Sequence, residues 1–550
     1  MLMNYSTVTT GLSMIGGRKT GWSPGVREGS QRASASGAVG RPLPSPAMGV
    51  VVAVDAGTTG VRAFAVDEQG RPAGWAYREF PQHFPRPGWV EHDADDIWAA
   101  VATTLRELVE ELAGKGQAVA AIGITDQRET VVVWDRRTGR PLHRAIVWQD
   151  RRTAARCDEL RDRGALGLVR DRTGLVLDPY FSATKLEWLL GRGGGDGEGG
   201  RGGVDRDNPD LAVGTVDSWV LWNLTGGQVH ATDPSNASRT LLYDIRDRAW
   251  SAELCELFGV PATCLPEVRP SSGRFAVTAA DGPVPAGIPV SGIAGDQQAA
   301  LFGQACFTPG MTKNTYGTGS FVLMNVGADC PDPVEGLLTT MAWELADGTV
   351  AYAYEGAIFV TGAAVQWLRD GLGLIEQAAD VEALAASIGD SEGVYVVPAF
   401  TGLGSPWWDP YARGAVVGLT RGTGRAHVAR AVLEAMAFQT RDVVDAMTAA
   451  CGHSVQALRA DGGASANNLM LQLQADQLQA PVARPVVQET TALGAAYLAG
   501  LAEGFWGSLG ELSGYWALDA EFTPKASKAG ADAKHAGWRR AVERAGHWAG

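Results

Sequence analysis

Residues 55–62 read Asp55-Ala56-Gly57-Thr58-Thr59-Gly60-Val61-Arg62. A β-branched run at residues 50–54 precedes this turn, an apolar run at 61–66 follows it, and residues 73–80 form a third strand candidate. Strand, tight glycine turn and strand predict a β-hairpin, whereas a P-loop would require a helix after the glycines. The pattern returns where Tyr316-Gly317-Thr318-Gly319 separates residues 311–315 from 320–326. Two such hairpins predict a duplicated α/β architecture with a ligand cleft between its halves.

The chemistry of both turns suits a polyphosphate. Small residues allow backbone N–H groups to approach phosphate oxygens, threonine hydroxyls add donors, and Arg62 adds positive charge. Asp55, at a strand end, is a candidate for the Mg²⁺ that accompanies ATP, because this ion keeps most of its waters and takes one or two carboxylates. The alternative is an Asx turn that closes a hairpin without any ligand. Residues 55–62 alone leave both interpretations open.

Asp296 lies between the apolar residues 288–294 and a predicted helix. At this place an aspartate is a good helix N-cap. The functional alternative makes Asp296 the base that accepts the proton of an attacking hydroxyl. Phosphoryl transfer requires mainly in-line positioning and charge neutralisation, so one carboxylate beside the nucleophile is sufficient.

A polyol site is predicted after the strand-like residues 120–125. Arg128 can donate to hydroxyl oxygens and Glu129 can accept hydroxyl protons, although an adjacent Arg-Glu pair is also common on surfaces. Tyr180 is a further hydroxyl candidate. Trp148 and Phe321 are candidates to cover the carbon edge of a small polyol, and core packing is the commoner role of such rings.

A nucleotide site is predicted at residues 461–468, where a glycine turn leads from the strand-like residues 455–460 to a helix starting at Asn467. Phosphates bind readily at helix N-termini. Gly362 and Gln366 open another predicted helix and are candidates to flank the base or ribose, with plain surface polarity the alternative for Gln366. Further helices are predicted at residues 95–113 and 427–449.

Composition narrows the class of protein. The chain has 550 residues and a net charge of −14. It therefore lacks the basic character of a nucleic-acid binder, and its length predicts at least two domains. Its six cysteines form no C-x-x-C pair, and no apolar run approaches the ~20 residues of a membrane span.

Two segments are predicted to lie outside the folded core. Residues 1–47 are rich in Ser, Gly, Arg and Pro, which favours a disordered or mis-assigned extension with Met48 as the true start, or else a transit-like segment. Residues 191–208 are rich in Gly, Asp and Arg, which predicts a mobile surface insertion.

Long stretches of this sequence resemble the FGGY carbohydrate kinases, and among them the members that phosphorylate glycerol. The resemblance runs from about residue 50 to 506 and continues weakly to 548. It is strongest in residues 88–93, 122–125, 127–130, 145–149, 236–240, 291–304, 313–319, 396–404 and 461–464.

The resemblance implies an α/β, two-domain actin-like ATPase fold, with duplicated ribonuclease-H-like cores and an interdomain cleft. The expected parts are an N-terminal extension (1–47), an N-terminal domain with the glycerol site and a phosphate loop (48–302), a C-terminal domain with the nucleotide site (303–506) and a C-terminal tail that packs on the latter (507–550).

The resemblance also implies a site for glycerol and ATP or ADP. Glycerol would be held by Arg128, Glu129, Tyr180, Asp296 and Gln297, with Trp148 and Phe321 along its carbons. Asp296 would be the general base, and Mg²⁺ would lie near Asp55. The implied nucleotide-binding residues are Thr58, Thr59, Gly60, Arg62, Thr318, Gly362, Gln366, Gly463 and Asn467. A cytoplasmic homodimer or homotetramer is expected. The alternatives are a kinase of another small polyol or sugar, and a binding protein without catalysis.

Several positions depart from the family pattern. The usual first loop is D-Q-G-T-T-S-S-R, so Ala56 replaces a glutamine and Gly60-Val61 replace two serines, and a changed affinity for ATP is expected. Asp126 replaces a usual asparagine and Ala183 a usual glycine. Some relatives are inhibited by fructose bisphosphate at a G-G-x-R loop. The corresponding residues 282–287 contain no arginine, so this inhibition is expected to be absent.

Overall fold

The structure is a computed structural model that describes residues 49–191 and 203–549. The expected extension at residues 1–47 lies outside the described residues, as do residues 192–202 of the expected surface insertion. Residues 203–208 belong to no helix or strand.

Residues 49–303 form the first half of the described chain. Its strands are β1 (Gly49–Ala56), β2 (Gly60–Asp67), β3 (Pro72–Glu79), β4 (Gln82–His83), β5 (Glu91–His92), β6 (Ala118–Asp126), β7 (Val131–Asp135), β8 (Arg140–Pro141), β9 (Ala145–Ile146), β10 (Leu211–Thr215), β11 (Ala231–Thr232), β12 (Tyr243–Asp244), β13 (Ala249–Trp250), β14 (Glu267–Val268), β15 (Ser272–Val277) and β16 (Pro289–Gly295). Its helices are α1 (Ala94–Gly114), α2 (Ala154–Asp162), α3 (Leu166–Thr173), α4 (Ser182–Leu189), α5 (Val216–Leu224), α6 (Pro234–Ala237), α7 (Ala252–Phe258) and α8 (Asp296–Gly303).

The second half follows from residue 312. Its strands are β17 (Thr312–Tyr316), β18 (Ser320–Gly327), β19 (Leu338–Glu344), β20 (Val350–Ile358), β21 (Tyr395–Val397), β22 (Ala415–Val417), β23 (Leu458–Asp461), β24 (Val482–Pro485) and β25 (Leu518–Phe522). Its helices are α9 (Gly362–Gln366), α10 (Asp380–Ala386), α11 (Arg425–Cys451), α12 (Asn468–Leu478), α13 (Thr490–Ala502), α14 (Leu509–Tyr515) and α15 (Lys528–Ala545).

Each half contains one mixed sheet with the same strand order, and the first half also has a second sheet, β10-β7-β9-β5-β4 with β8 beside β7. The mixed sheet of the first half runs β3-β2-β1-β6-β16-β15, and that of the second half runs β20-β18-β17-β23-β24-β25 with β19 added beside β20. In both, the two central pairs are parallel and the remaining pairs of this six-strand order are antiparallel. The duplication predicted from the two glycine hairpins is therefore confirmed.

Strand β1 explains why the chain opens on a nearly continuous apolar run. Val50, Val52 and Val54 pack into a core that includes residues of α1 and α5. Val51 and Ala53 face the other way, into a core that includes residues of α13. A strand that is covered on both faces needs apolar side chains at successive positions. The first polar residue of β1 is Asp55, which is only half-buried and lies next to the glycine turn, where the cleft begins.

Helices α8 and α13 lie between the two sheets and touch through their backbones. A Cβ atom at Gly494 of α13 would lie 1.8 Å from the Ala299 carbonyl oxygen of α8. Conversely, a Cβ at Gly303 would lie 2.0 Å from the Thr490 carbonyl oxygen. Glycine is required at both positions, because no side chain can be accommodated at this separation.

The predicted elements that frame the cleft are present. The strand-turn-strand predictions around residues 57–60 and 317–319 are confirmed, and the helices predicted at 95–113 and 427–449 are α1 and α11. The helix predicted from residue 363 is α9, which continues as one π-helical turn at Trp367–Gly371. No helix within residues 49–191 and 203–549 is long and apolar enough to cross a membrane.

Candidate active site

The first glycine turn is held in a fixed shape from within its own half. Its ends are joined by a hydrogen bond from the Gly57 amide to the Gly60 carbonyl oxygen at 3.0 Å. The Gln127 amide group donates to the Gly57 carbonyl oxygen at 3.0 Å, and that of Gln82 donates to the Thr58 carbonyl oxygen at 3.1 Å. With these carbonyl oxygens engaged, the partly or fully exposed Thr58 and Thr59 line a preformed loop.

Gly60 lies directly beneath strand β3. A Cβ atom at this position would lie 2.5 Å from the Arg78 carbonyl oxygen and 2.6 Å from the Tyr77 hydroxyl oxygen. The serine that is usual in related sequences therefore does not fit here while β3 keeps its place. The departure at Gly60 is explained by packing between neighbouring strands.

Substituting Gly60→Ser is expected to lower the melting temperature and weaken ATP use, because the new side chain forces β3 away from the phosphate loop. Overpacking of this kind costs about 1–3 kcal/mol. The measurements are the melting temperature and the KM for ATP. Gly57→Ala is a matched control for stability, since the nearest atom to its Cβ would be 3.4 Å away. Unchanged melting and an unchanged or lower KM for ATP in Gly60→Ser would contradict this explanation.

The second glycine turn packs against the start of α9. The Thr318 carbonyl oxygen accepts from the amides of Thr361 at 2.9 Å and Ala363 at 3.0 Å, and the Gly362 amide donates to the Gly317 carbonyl oxygen at 3.1 Å. A Cβ at Gly362 would lie 2.5 Å from that same oxygen. Thr318 and Gly362 are therefore brought together, and their binding to one ligand stays a prediction.

The turn after β23 joins the same wall of the cleft. Thr315 pairs with Asp461 across adjacent parallel strands, and Gly462 adopts a φ of 82° against the Tyr316 backbone. The exposed Gly463 follows it. Asn467 caps α12 by accepting from the Met470 amide at 2.8 Å.

Two predicted nucleotide-site residues have more specific outcomes. Gln366 lies one turn beyond Gly362 on α9 and is exposed. Within the described part of the chain, it makes no hydrogen bond to either glycine turn.

Arg62 forms an ion pair with the second half of the chain. Its guanidinium lies 3.4 Å from the carboxylate of Glu489, just before α13. Phosphate oxygens and Glu489 would therefore compete for Arg62.

Asp55 lies near the end of β1, and Asp296 directly follows β16, which is separated from β1 by the one strand β6. Ala56, Asp126 and Gly295 are register partners across β1, β6 and β16, which places Asp55 and Asp296 at one sheet edge. Burial and the nearby Asp296 carboxylate raise the pKa of Asp55 to about 7, although Arg62 acts in the opposite direction. The raised pKa shows that burial and Asp296 outweigh Arg62 at Asp55, so a cation placed there would be stabilised.

Asp296 is the first residue of α8, and Gly295 occupies the N-cap position. The interpretation of Asp296 as the N-cap is therefore wrong by one residue. Its Oδ1 accepts from the Gln297 amide at 2.7 Å and lies 3.2 Å from Arg128 Nε. Its Oδ2 receives no hydrogen bond from the described residues. The side chain is 32% exposed, so one carboxylate oxygen is accessible from the cleft.

The predicted polyol residues converge around Arg128. Its Nη2 donates to the Tyr180 hydroxyl at 3.1 Å, and Glu129 follows it in the left-handed region at φ 62°. Burial raises the pKa of Glu129, while Arg128 and Arg239 oppose the shift. The Gln297 side chain is held by Lys313, whose Nζ donates to its Oε1 at 2.5 Å.

Three aromatic rings enclose the space beside Arg128. The Trp148 ring lies edge-on to Tyr180 at 5.7 Å between centroids and to Phe321 at 6.5 Å. Phe321 also lies 5.7 Å from the Arg128 guanidinium carbon. The Trp148 indole N–H donates to the Thr58 hydroxyl at 3.0 Å. The ring predicted to cover the polyol is therefore also tied to the first phosphate loop.

Sequence reasoning missed three charged groups of this site. They are Arg239, Lys313 and Glu355, each of which is fully buried. Burial lowers the pKa of Lys313 to about 8, which Asp461 and Asp296 oppose. A signal for Glu355 was present, because it is the single charged residue in the otherwise apolar and aromatic strand β20. Its partners could not be identified, since they lie in the other half of the chain.

Comparison with known proteins identifies the family. Family models match at residues 50–303 (FGGY family of carbohydrate kinases, N-terminal domain) and 312–503 (the C-terminal domain of the same family). The chain is 54% identical over 498 residues to a glycerol kinase of Carboxydothermus hydrogenoformans, covering 90% of this chain and 98% of that protein.

Solved structures show the same fold. Glycerol kinase of Plasmodium falciparum with ADP superposes with a TM-score of 0.84 at 34% identity, covering 90% of this chain and 98% of that one. Gluconate kinase of Lactobacillus acidophilus gives a TM-score of 0.79 at 21% identity, covering 90% and 97% of the two chains. The second likeness concerns the fold alone.

Proposed function

Because this chain belongs to the FGGY family of carbohydrate kinases, we propose that it transfers the terminal phosphate of ATP to glycerol, giving sn-glycerol 3-phosphate. The observation that carries the proposal is the Asp296 carboxylate, which lies beside Arg128 and next to Asp55 at the edge where the first phosphate loop begins. A hydroxyl bound at Arg128 would have an acceptor for its proton.

The ring enclosure favours a short polyol. Trp148 contacts Tyr180 and Phe321 edge-on, at 5.7 and 6.5 Å between ring centroids, so bulky rings border Arg128. Three carbons with three hydroxyls match a site of few donors and acceptors between apolar walls. The similarity to proteins named glycerol kinase, which extends over nearly their whole length, supports the same substrate.

In the proposed reaction Asp296 is the general base. Its Oδ1 is fixed by the Gln297 amide and by Arg128, so Oδ2 is the oxygen that accepts the hydroxyl proton. The alcohol oxygen then forms a bond to the γ-phosphorus while the bond to the β-bridging oxygen breaks. The enzyme contributes mainly positioning and charge stabilisation.

The two glycine turns would hold the polyphosphate from opposite walls. Thr58, Thr59, Gly60 and Arg62 would approach it from the first half. From the second half Thr318, Gly362, Gly463 and Asn467 would approach it, with Gln366 farther out towards the base. Trp148, which borders the proposed polyol site, donates a hydrogen bond to Thr58 of the first phosphate loop. The polyol and phosphate sites would therefore be adjacent at this pair of residues.

Mg²⁺ is proposed as the ion that accompanies ATP, and it would neutralise charge on the phosphate oxygens. The donor set fits this ion, because Asp55 is a half-buried carboxylate at a strand end and Mg²⁺ takes one or two carboxylates. Among the described residues no group of three or more His, Cys, Asp or Glu side chains is placed to hold a metal. The ion would therefore depend on the nucleotide and water for its other ligands.

A coupled assay with ATP and MgCl₂ tests the substrate. Glycerol is expected to give the highest kcat/KM in a panel that includes erythritol, D-xylulose and gluconate, and sn-glycerol-3-phosphate dehydrogenase should oxidise the product. A sugar with a higher kcat/KM than glycerol would replace the proposed substrate. Absence of phosphorylation of all four compounds would favour a protein that binds without catalysis.

A cytoplasmic location and a homodimer or homotetramer stay predictions from the family resemblance.

A further inference from the structure

Glu355 lies in the middle of strand β20 and is completely buried. It belongs to the second half of the chain, where it pairs with Leu323 and Leu338 on the neighbouring strands. A lone carboxylate in such a strand is costly unless it is paired and hydrogen-bonded. Its presence therefore calls for a partner outside its own sheet.

Both partners of Glu355 are arginines from the first half. Its Oε2 accepts from Arg128 Nη1 at 2.5 Å, and its Oε1 accepts from Arg128 Nη2 at 3.1 Å and from Arg239 Nη2 at 2.9 Å. Arg239 in turn donates from Nε to Glu129 at 2.7 Å. Burial alone would raise the pKa of Glu355, but Arg128 and Arg239 lower it to about 2. The carboxylate is thus ionised at any working pH.

The hydrogen bonds of Arg128 show what Glu355 does. A guanidinium has five N–H donors, four of them on the two Nη atoms. Two of these four go to Glu355, one goes to Gln298 Oε1 at 3.1 Å, and one goes to the Tyr180 hydroxyl. The Nε atom lies 3.2 Å from Asp296 Oδ1, as an ion pair. Arg128 therefore presents its Nε edge to the base.

We propose that Glu355 is a positioning residue for polyol binding, which fixes Arg128 in the orientation that serves the substrate and, through Arg239, also fixes Glu129. Glu355 does not contact the substrate in this account, which rests on the proposed function. An uncharged glutamine in its place has one acceptor oxygen, so one of the two Nη donors of Arg128 loses its acceptor and the charge attraction is lost. The nearest other carboxylates are Asp296 and Glu129, at 3.2 and 3.9 Å from Arg128 Nε, so the guanidinium would turn towards them.

The substitution Glu355→Gln tests this by removing the charge at nearly constant shape. The KM for glycerol is expected to rise about tenfold or more, because small misplacements of a positioning group cost up to ~10²-fold. The KM for ATP should change less than about twofold.

Two further variants separate positioning from folding. Glu355→Asp keeps the charge, so its KM for glycerol should lie between those of the parent and Glu355→Gln. If Glu355→Gln fails to fold, the comparison of the two KM values is made on Glu355→Asp, where a rise confined to the KM for glycerol supports the inference. Glu344→Gln removes a carboxylate from the end of β19 whose ion-pair partner is Arg248, at 3.6 Å. It should leave both KM values unchanged.

The result that would overturn the inference is an equal change in the KM for glycerol and the KM for ATP, which would make Glu355 a stabilising residue only. A crystal structure of Glu355→Gln supplies a readout independent of activity. Displacement of the Arg128 guanidinium towards Asp296 or Glu129 supports the inference, and an unmoved guanidinium contradicts it. If the parent enzyme fails to phosphorylate glycerol, the proposed function fails, and the crystal structure still decides whether Glu355 orients Arg128.

Discussion

Replacing Asp296 with asparagine is expected to lower kcat for glycerol phosphorylation about 10³-fold, within the range that general base catalysis contributes. The amide has nearly the same shape, and its oxygen can still accept the bond that the Gln297 amide now gives to Oδ1. It cannot take up the hydroxyl proton. The loss should therefore fall on kcat while the melting temperature and the KM for ATP stay close to those of the parent.

Asp347→Asn is a suitable control for this substitution. Asp347 is exposed in the turn between β19 and β20, at the end of β20 that lies farther from the second glycine turn. It should retain full activity. Glycerol phosphorylation by Asp296→Asn within a few-fold of the parent rate would show that another group, or water, accepts the proton.

The second large effect is expected from Gly494→Ala. The added methyl group would lie 1.8 Å from the Ala299 carbonyl oxygen and 2.9 Å from the Gly303 amide nitrogen. Both are backbone atoms within α8, so relief requires the two helices to separate. Overpacking in a core costs about 1–3 kcal/mol, and occasionally more, and the upper end is expected here. The measurements are the melting temperature and kcat, because Asp296 begins α8 and should shift with it.

Gly514→Ala is the matched control for this prediction. Gly514 lies within helix α14 and is exposed, and a Cβ added there meets nothing within 4 Å. Alanine favours helix over glycine by up to about 1 kcal/mol, so melting should be unchanged or slightly higher. If Gly494→Ala and the parent had equal melting temperatures, the two helices would be able to accommodate a methyl group, and the explanation from their backbone contact would be wrong.

The sequence made the two hairpins predictable because their signals are local. Apolar runs on both sides of a glycine turn specify strand, turn and strand within about twenty residues, and repetition of the pattern indicated the duplication. The end of β6, with Arg128 and Glu129, and the switch from β16 to α8 at Asp296 were predictable for the same reason. Arg128 and Glu129 follow shortly after the buried strand β6, and Asp296 directly follows the buried strand β16.

Interactions between distant segments were not predictable in this way. The pairing of Glu355 with Arg128 and Arg239 depends on how the two sheets face each other, which no local pattern encodes. The explanation for Gly60 depends on the register between β2 and β3, which places Tyr77 and Arg78 above it. The binding roles assigned to the nucleotide residues stay predictions, although the structure brings Thr318, Gly362 and the residue 461–463 turn to one wall.

The backbone contact between α8 and α13 links the position of Asp296 to the packing of these two helices. Each helix has one end at the cleft, since α8 begins with Asp296 and α13 begins just after Glu489, the ion-pair partner of Arg62. Asp296 lies seven residues from Gly303, or ~10 Å at 1.5 Å per residue. A tilt of ~10° about this pivot would swing the carboxylate by ~2 Å, enough by the ~1 Å criterion to engage or disengage it from an alcohol. Glu489 lies one residue before Thr490, which touches Gly303 at this contact. Such a tilt would therefore move the base while the Arg62–Glu489 ion pair stays nearly in place.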